Sequence, residues 1–373
     1  MILSDSDVRS FHEQGYLAVP SFFDEQETHA MQQEVRRWRR QGLLDNVSSA
    51  GHKVAYDIGA LFRLSRLFRA LPFHERSAAA MGQLLGGPVV LHNTGCFYKV
   101  ARDGRGTGWH ADGTYYDIAN PWLAAAMWIA VDDATVENGT LHVLPRSVCS
   151  SVEYESDPVT RRRVARPAPE HLRHAVPLPL KAGGVVFFAY GTLHCTLDNN
   201  TDADRAAVSV HFFHEQLFHP HFPWDELPHP YLTGPRAAGG APQFGMDLRG
   251  TWQREVGQTL EGEPREVSRS AVLACTEALR FRVQVRMGDT EEEELAAGVL
   301  IPVEGRPSRY EMPLYGWEME LFRAIDGVST CQEVIDHLKE SNEDWTEEHQ
   351  ARALGLMTTF VAHGALRLVK QGG

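Results

Sequence analysis

The chain has 373 residues and a mass of 41.7 kDa, enough for one large domain and a smaller one. Hydrophobic residues make up 43% and charged residues 23%, ordinary values for a globular protein, which exclude a disordered or low-complexity scaffold. With 36 basic against 49 acidic residues, the net charge of −13 argues against a phosphate backbone or an anionic membrane as main partner.

The N-terminus, Met1-Ile-Leu-Ser-Asp-Ser-Asp, lacks the basic start and apolar core of a signal peptide. The longest apolar stretches, residues 124–131 and 185–190, fall well short of the ~20 residues of a membrane span. A cytoplasmic location is expected. Residues 15–23 read as a short strand with a proline in its exit. Asp24 then caps a helix running to Arg40, with Glu27 as its capping-box partner. A second helical region, rich in alanine, leucine and arginine, spans about residues 60–85.

From Pro88 to about Phe213 the texture changes. Short β-branched or aromatic runs at 89–92, 95–100, 127–131, 140–144, 185–190 and 207–213 alternate with Gly, Pro, Asn and Asp clusters. This spacing predicts an antiparallel sandwich or barrel. The proline- and histidine-rich stretch 214–231 reads as a loop over one mouth of it.

Beyond about Arg265 the chain reads differently. Glu291 to Glu294 is a solvated acidic run, and Leu321-Phe-Arg-Ala-Ile-Asp reads as a helix ended by Gly327. Ser329 or Thr330 caps a second helix from Cys331. A third runs from about Glu347 to His363, stopped by Gly364, with a terminal strand at 365–369. The order resembles a winged-helix module, yet residues 268–373 carry 11 basic and 18 acidic residues, which disfavours duplex binding. The expected division is a catalytic domain over 1–264, then a helical linker and winged-helix-like accessory domain over 265–373. Cys96, Cys149, Cys195, Cys275 and Cys331 form no C-x-x-C pair and read as free thiols of a reducing compartment.

Among 18 histidines, only His110 has an acidic residue two positions later, in His110-Ala-Asp112. In a strand, i and i+2 share a face, so both side chains could hold one metal. On these two residues alone, a surface histidine beside a turn aspartate is an equal alternative. His194, just after the 185–190 run, could complete a two-histidine, one-carboxylate face, which leaves three positions of an Fe(II) octahedron open. Arg205 opens the next run and could clasp a dicarboxylate bidentately. The plainer readings are a capped loop histidine and an arginine held by Asp202 or Asp204.

Taken in order, these blocks make the chain resemble the phytanoyl-CoA dioxygenase family of Fe(II)- and 2-oxoglutarate-dependent oxygenases, over about residues 8 to 215. The resemblance rests on Phe11-His-Glu-Gln-Gly-Tyr-Leu-Ala-Val-Pro, on Gly108-Trp-His-Ala-Asp-Gly-Thr, on the block from Met127-Trp-Ile to Leu141-His-Val-Leu-Pro, and on His194 followed by Arg205. It implies a mainly β fold: a double-stranded β-helix (jelly roll, cupin-like) core with flanking helices, beside the small α+β winged-helix-like C-terminal domain.

The resemblance further implies that His110, Asp112 and His194 are the iron ligands and that Arg205 grips the C5 carboxylate of 2-oxoglutarate. Thr196 sits where a hydroxyl assists that arginine, and Lys99 and Trp128 line the cosubstrate pocket. The family's usual Pro-Gly-Ser-His turn reads Pro145-Arg-Ser-Val here, which puts substrate-side geometry in question. The implied reaction consumes O2 and hydroxylates a C–H bond, releasing succinate and CO2. Related halogenases replace the carboxylate ligand by a small residue, so Asp112 favours hydroxylation. The expected substrate is a small polar metabolite or natural-product intermediate, with neither nucleic acid nor membrane as partner. Two alternatives stand beside it: a peptide- or carrier-bound substrate recruited by the C-terminal module, and a non-catalytic iron or oxoacid sensor. Homodimerisation through that module is a further expectation.

Overall fold

Turn residues between the short β-rich runs let successive strands alternate between two antiparallel sheets. The computed structural model describes residues 2–41, 44, 62, 65–115, 118–156, 163–217, 229–262, 267–287, 292–302, 309–314 and 317–370. Its first eleven strands are Tyr16–Val19 (β1), Val89–Lys99 (β2), Thr107–His110 (β3), Ala124–Ala130 (β4), Leu141–Val143 (β5), Glu153–Ser156 (β6), Arg163–Arg166 (β7), Val176–Pro177 (β8), Val185–Ala189 (β9), His194–Thr196 (β10) and Arg205–His214 (β11). One sheet has the order β1-β9-β4-β11-β2 and the other β3-β10-β5-β8, while β6 and β7 form a separate pair. From β2 to β5, and again from β8 to β11, each strand lies in the sheet opposite to its predecessor. That alternation is the expected double-stranded β-helix.

The core sits between the sheets. Trp128, Val186, Phe188 and Ala207 from the larger sheet meet Leu141 and Val143 from the smaller. β4 is buried at every position, which explains why it reads as a continuous apolar run rather than an alternation. The runs at 89–92 and 95–100 belong to one strand, β2. Its pairing with β11 shifts register between His211 and Phe212, and such an irregularity re-aims side chains along the strand.

Helices flank this core. Glu25–Arg40 is capped as expected: Glu27 N–H donates to Asp24 Oδ1 at 2.8 Å, and Asp24 N–H donates to Glu27 Oε2 at 2.9 Å. An earlier helix, Asp5–Gln14, has its own capping box through Ser4 and Asp7 and ends at Gly15 with φ 85°. The described part of the 60–85 region is broken into Arg66–Ala70, a 3-10 turn Leu71–Phe73 and Glu75–Leu85. Pro72, which cannot donate within a helix, marks the break.

The chain divides into two units, residues 1–34 with 45–260, and residues 35–44 with 261–373. The second contains Val272–Cys275 (β12), Arg280–Met287 (β13), Glu292–Pro302 (β14), Arg309–Leu314 (β15), Asp326–Thr330 (β16) and Leu366–Lys370 (β17). These form the sheets β16-β12-β17 and β13-β14-β15. The expected helical linker is therefore corrected to β-structure. Arg280-Phe-Arg-Val-Gln-Val-Arg-Met alternates with period two, the pattern of a strand. Glu292 to Glu294 open β14; Glu291 lies outside the described residues.

Helices Trp317–Ala324, Cys331–Ser341 and Glu347–Ala362 follow. Gly327 does not end the first but lies within β16 at φ 81°, and Thr330 caps the second with Glu333. Leu321, Phe322, Val334, Ile335, Leu338 and Phe360 are buried. Among the described residues no helix is long and apolar enough to cross a membrane.

Gly106 leads into β3 where it presses on β10. A β-carbon there would overlap the Thr196 carbonyl oxygen and lie 3.0 Å from Leu197 Cα. Gly106→Ala is expected to cost about 1–3 kcal/mol, the range for overpacking a tight contact. Chemical denaturation checks this, and an unchanged midpoint would refute the close approach of the two strands.

Candidate active site

The pairing of β3 with β10 sets His194 directly opposite His110. Asp112 does not continue β3 but opens a 3-10 turn, Asp112–Tyr115. The same-face argument for a strand therefore does not describe this pair; the turn carries the carboxylate to the histidines instead. Asp112 Oδ1 lies 3.8 Å from Nε2 of both His110 and His194. One glycine permits this packing, and a backbone hydrogen bond pins the turn. A β-carbon on Gly108 would lie 2.7 Å from Val164 Cγ1, and Gly113 N–H donates to Tyr190 O at 2.8 Å.

Both imidazoles are held by their own main chain. His110 Nδ1 donates to Gly108 O at 2.8 Å, and His194 Nδ1 to Thr192 O at 2.9 Å. A carbonyl only accepts, so Nδ1 carries the proton and Nε2 presents a lone pair. Burial, reinforced by nearby His211, outweighs the carbonyl contact and holds the His194 pKa down to about 4, so its ring is neutral. The three donor atoms lie within 4.8 Å of one another. Asp112 Oδ2 is buried without a hydrogen-bond partner among the described residues. Two lone pairs and a carboxylate converging in a buried place call for a cation. The nitrogen–oxygen donor set fits ferrous iron.

These groups open into a cavity of about 280 Å³. The residues that the resemblance assigns to iron and cosubstrate all line it: Lys99, Trp128, Thr196 and Arg205 beside the three possible ligands. Arg205 stands opposite Lys99 across β11 and β2. It is fully buried, donates to Gly139 O at 2.8 Å and lies with Cζ 5.8 Å from the Trp128 ring centre. Burial lowers its pKa only to about 10, so it stays charged. Neither aspartate of the preceding loop bonds it: Asp202 pairs with Arg102, and Asp204 accepts from the Tyr98 hydroxyl.

Lys99 donates to Leu197 O. Burial, then the neighbouring Arg205 charge, push its pKa down to about 6. The Thr196 hydroxyl bonds Thr107, at 3.1 Å from both N and Oγ1, rather than the arginine.

Sequence reasoning missed the other inward residues of the same strands. Asn93 and Thr94 of β2 and Ser209 and His211 of β11 also line the cavity. Positions 205, 209 and 211 share a face of β11, so period two counted from Arg205 would have found Ser209 and His211. Tyr115 also reaches the cavity, and residues 218–228 of the expected mouth loop lie outside the described residues.

Comparison with known proteins bears on this arrangement. The family model for phytanoyl-CoA dioxygenase (PhyH) matches residues 11–207. Phytanoyl-CoA dioxygenase domain-containing protein 1 of Mus musculus is 27% identical over 264 residues, covering 56% of this chain and 89% of that protein. Ectoine dioxygenase of Halomonas elongata is 27% identical over 230 residues, covering 55% of this chain and 68% of that protein. Among solved structures, the epimerase SnoN in complex with Fe3+, alpha ketoglutarate and nogalamycin RO is similar, with a TM-score of 0.50 at 25% identity. That match covers 62% of this chain and 96% of the epimerase.

The Lys99 environment makes a pH prediction. Its folded pKa of about 6 lies below the 10.5 of a free lysine, so the unfolded chain binds the extra proton between those values. The penalty from burying Lys99 is full below pH 6 and is relieved as pH rises toward 10.5. Without cosubstrate, Lys99→Met should be more stable than wild type at pH 7. Its advantage should shrink by about 1 kcal/mol per pH unit toward pH 9.5. Denaturant titrations across that range measure it; a constant difference would refute the buried, largely neutral lysine.

Proposed function

Because the chain belongs to the phytanoyl-CoA dioxygenase family and is an Fe(II)- and 2-oxoglutarate-dependent dioxygenase, we propose that it hydroxylates an unactivated C–H bond of a small polar metabolite. One observation carries the reading: the two-histidine, one-carboxylate set and the buried Arg205–Lys99 pair line one cavity. His110 and His194 through Nε2, and Asp112 through its carboxylate, would hold Fe(II), and the bound metal would supply the chemistry that couples decarboxylation of 2-oxoglutarate to succinate and CO2 with oxidation of the substrate by O2.

The protein's own groups bind, orient and exclude water. Arg205 clasps the far carboxylate of 2-oxoglutarate at two points, its guanidinium steadied by Gly139 O and the Trp128 ring. Lys99 supplies a second buried cation, and a dianion beside it favours its protonated form. Thr196, anchored by Thr107, offers its hydroxyl to the same carboxylate. Trp128, Leu141 and Phe188 form an apolar wall that keeps water out. Asn93, Thr94 and Ser209 are neutral hydrogen-bonding groups, which suit a polar substrate better than an alkyl chain. A carboxylate at Asp112, where related halogenases carry a small residue, favours hydroxylation. We assign residues 1–264 to this reaction and 265–373 to a winged-helix-like accessory module. Its helices bury Leu321, Val334 and Ile335, which suits a supporting role.

Two experiments test the assignment. His110→Ala, Asp112→Ala and His194→Ala should each abolish substrate-dependent succinate formation and weaken Fe(II) binding while the fold survives. Activity retained above a few per cent in all three would sink the metal site. Arg205→Lys should raise the apparent KM for 2-oxoglutarate, and Arg205→Ala should weaken binding further, by roughly 2–5 kcal/mol. Unchanged affinity in both variants would remove Arg205 from the cosubstrate pocket.

A further inference from the structure

The unexplained part of the cavity is a run of hydrogen-bonding groups behind Asp112. Its Oδ1 faces the two histidines, while buried Oδ2 lies 3.6 Å from His211 Nδ1. The His211 ring is clamped at both nitrogens. Nδ1 is 3.0 Å from the Tyr190 hydroxyl, and Nε2 is 3.0 Å from Ser209 Oγ. The Tyr190 hydroxyl is in turn 2.9 Å from His92 Nδ1. Tyr190 is fully buried, and His92 stacks on Phe213 with ring centres 3.9 Å apart.

The carboxylate selects one hydrogen-bond direction through this run. A proton on His211 Nε2 would leave the Nδ1 lone pair facing Asp112 Oδ2, two electron-rich atoms in a medium that screens little. A proton on Nδ1 instead bonds the Tyr190 oxygen and sets its partial positive charge 3.6 Å from Oδ2. Nε2 then accepts from Ser209, and Tyr190 is left to donate to His92. Every group is satisfied in that single direction: Ser209 to His211, His211 to Tyr190, Tyr190 to His92. At 3.6 Å the His211–Asp112 contact is electrostatic attraction rather than a formed hydrogen bond.

We infer that His211 is a positioning residue, which reserves Asp112 Oδ2 through Nδ1–H and leaves Oδ1 as the oxygen offered to the metal. The inference rests on Asp112 being an iron ligand. Its purpose follows from the count of open positions. A carboxylate with both oxygens uncommitted can chelate, taking a position that 2-oxoglutarate or O2 needs. A partner on the outer oxygen opposes chelation and fixes the carboxylate plane, as neighbours of metal ligands commonly do.

The test compares His211→Asn, His211→Gln and His211→Phe with wild type in the full-length protein. The asparagine amide nitrogen stands where Nδ1 does, and the glutamine nitrogen reaches toward Nε2. Anaerobic Fe(II) titration against a chromophoric chelator gives metal affinity. The visible charge-transfer absorption formed when 2-oxoglutarate joins Fe(II) reports the coordination. Circular dichroism and melting of the metal-free proteins monitor the fold. The asparagine variant should bind Fe(II) within about threefold of wild type with the same absorption. The glutamine and phenylalanine variants should lose about 10–100-fold in affinity and show a shifted or weakened band.

Should the phenylalanine variant fail to fold, the polar asparagine–glutamine pair decides the matter alone. Wild-type behaviour in all variants, equal losses for asparagine and glutamine, or rescue by glutamine only would each overturn the inference. A wild-type protein that binds no Fe(II) would instead overturn the iron site itself.

Discussion

Everything at the site depends on the short antiparallel pairing between β3 and β10. His194 and Thr196 of β10 pair with β3 on one side, and all three β10 residues pair with β5 on the other, so the segment bearing His194 is fixed from both edges. The Thr107–Thr196 hydroxyl contacts close one end of the pairing, and the two histidine rings, 4.2 Å apart between centres, close the other. Such a short ladder contributes few hydrogen bonds of its own. Its precision comes from the glycines beside it, which let β7 and β10 approach more closely than any side chain would allow. A metal site needs donors held within a fraction of an ångström, and here backbone contact provides that.

The second organising constraint is electrostatic. Arg205 and Lys99 are buried next to each other, a juxtaposition with a desolvation cost that folding alone would not favour. The two groups respond differently to that cost. The arginine keeps its charge through carbonyl contacts and the Trp128 face, whereas the lysine gives up its affinity for a proton. One cavity wall thus presents a permanent charge and a conditional one.

Much of this was legible in the chain. Asp24 with Glu27, and Thr330 as one of two neighbouring candidates, can be recognised from local spacing alone, because a cap is a local hydrogen-bond device. Strand texture between Pro88 and Phe213 was equally plain. What local pattern could not supply was the turn at Asp112, since one strand period and a tight turn both bring i and i+2 near a common partner. β13 to β15 were missed because an alternation rich in arginine and glutamate reads as surface helix as readily as strand. His211 and Tyr190 stayed invisible for a different reason: their importance lies in a contact between β9 and β11 neighbourhoods that no spacing in the sequence announces.

The hydrogen bonds from His110 and His194 to Gly108 O and Thr192 O have a consequence for how such a protein can change. Both acceptors are main-chain atoms, so the orientation of the metal-facing nitrogens does not depend on the identity of any neighbouring side chain. The opposite wall, built from Asn93, Thr94 and Ser209, consists of side chains projecting from strands whose backbone pairing is indifferent to them. Which nitrogen each histidine presents is therefore written in the backbone, while that wall is written in side chains. A change of side chain on that wall leaves both main-chain acceptors in place.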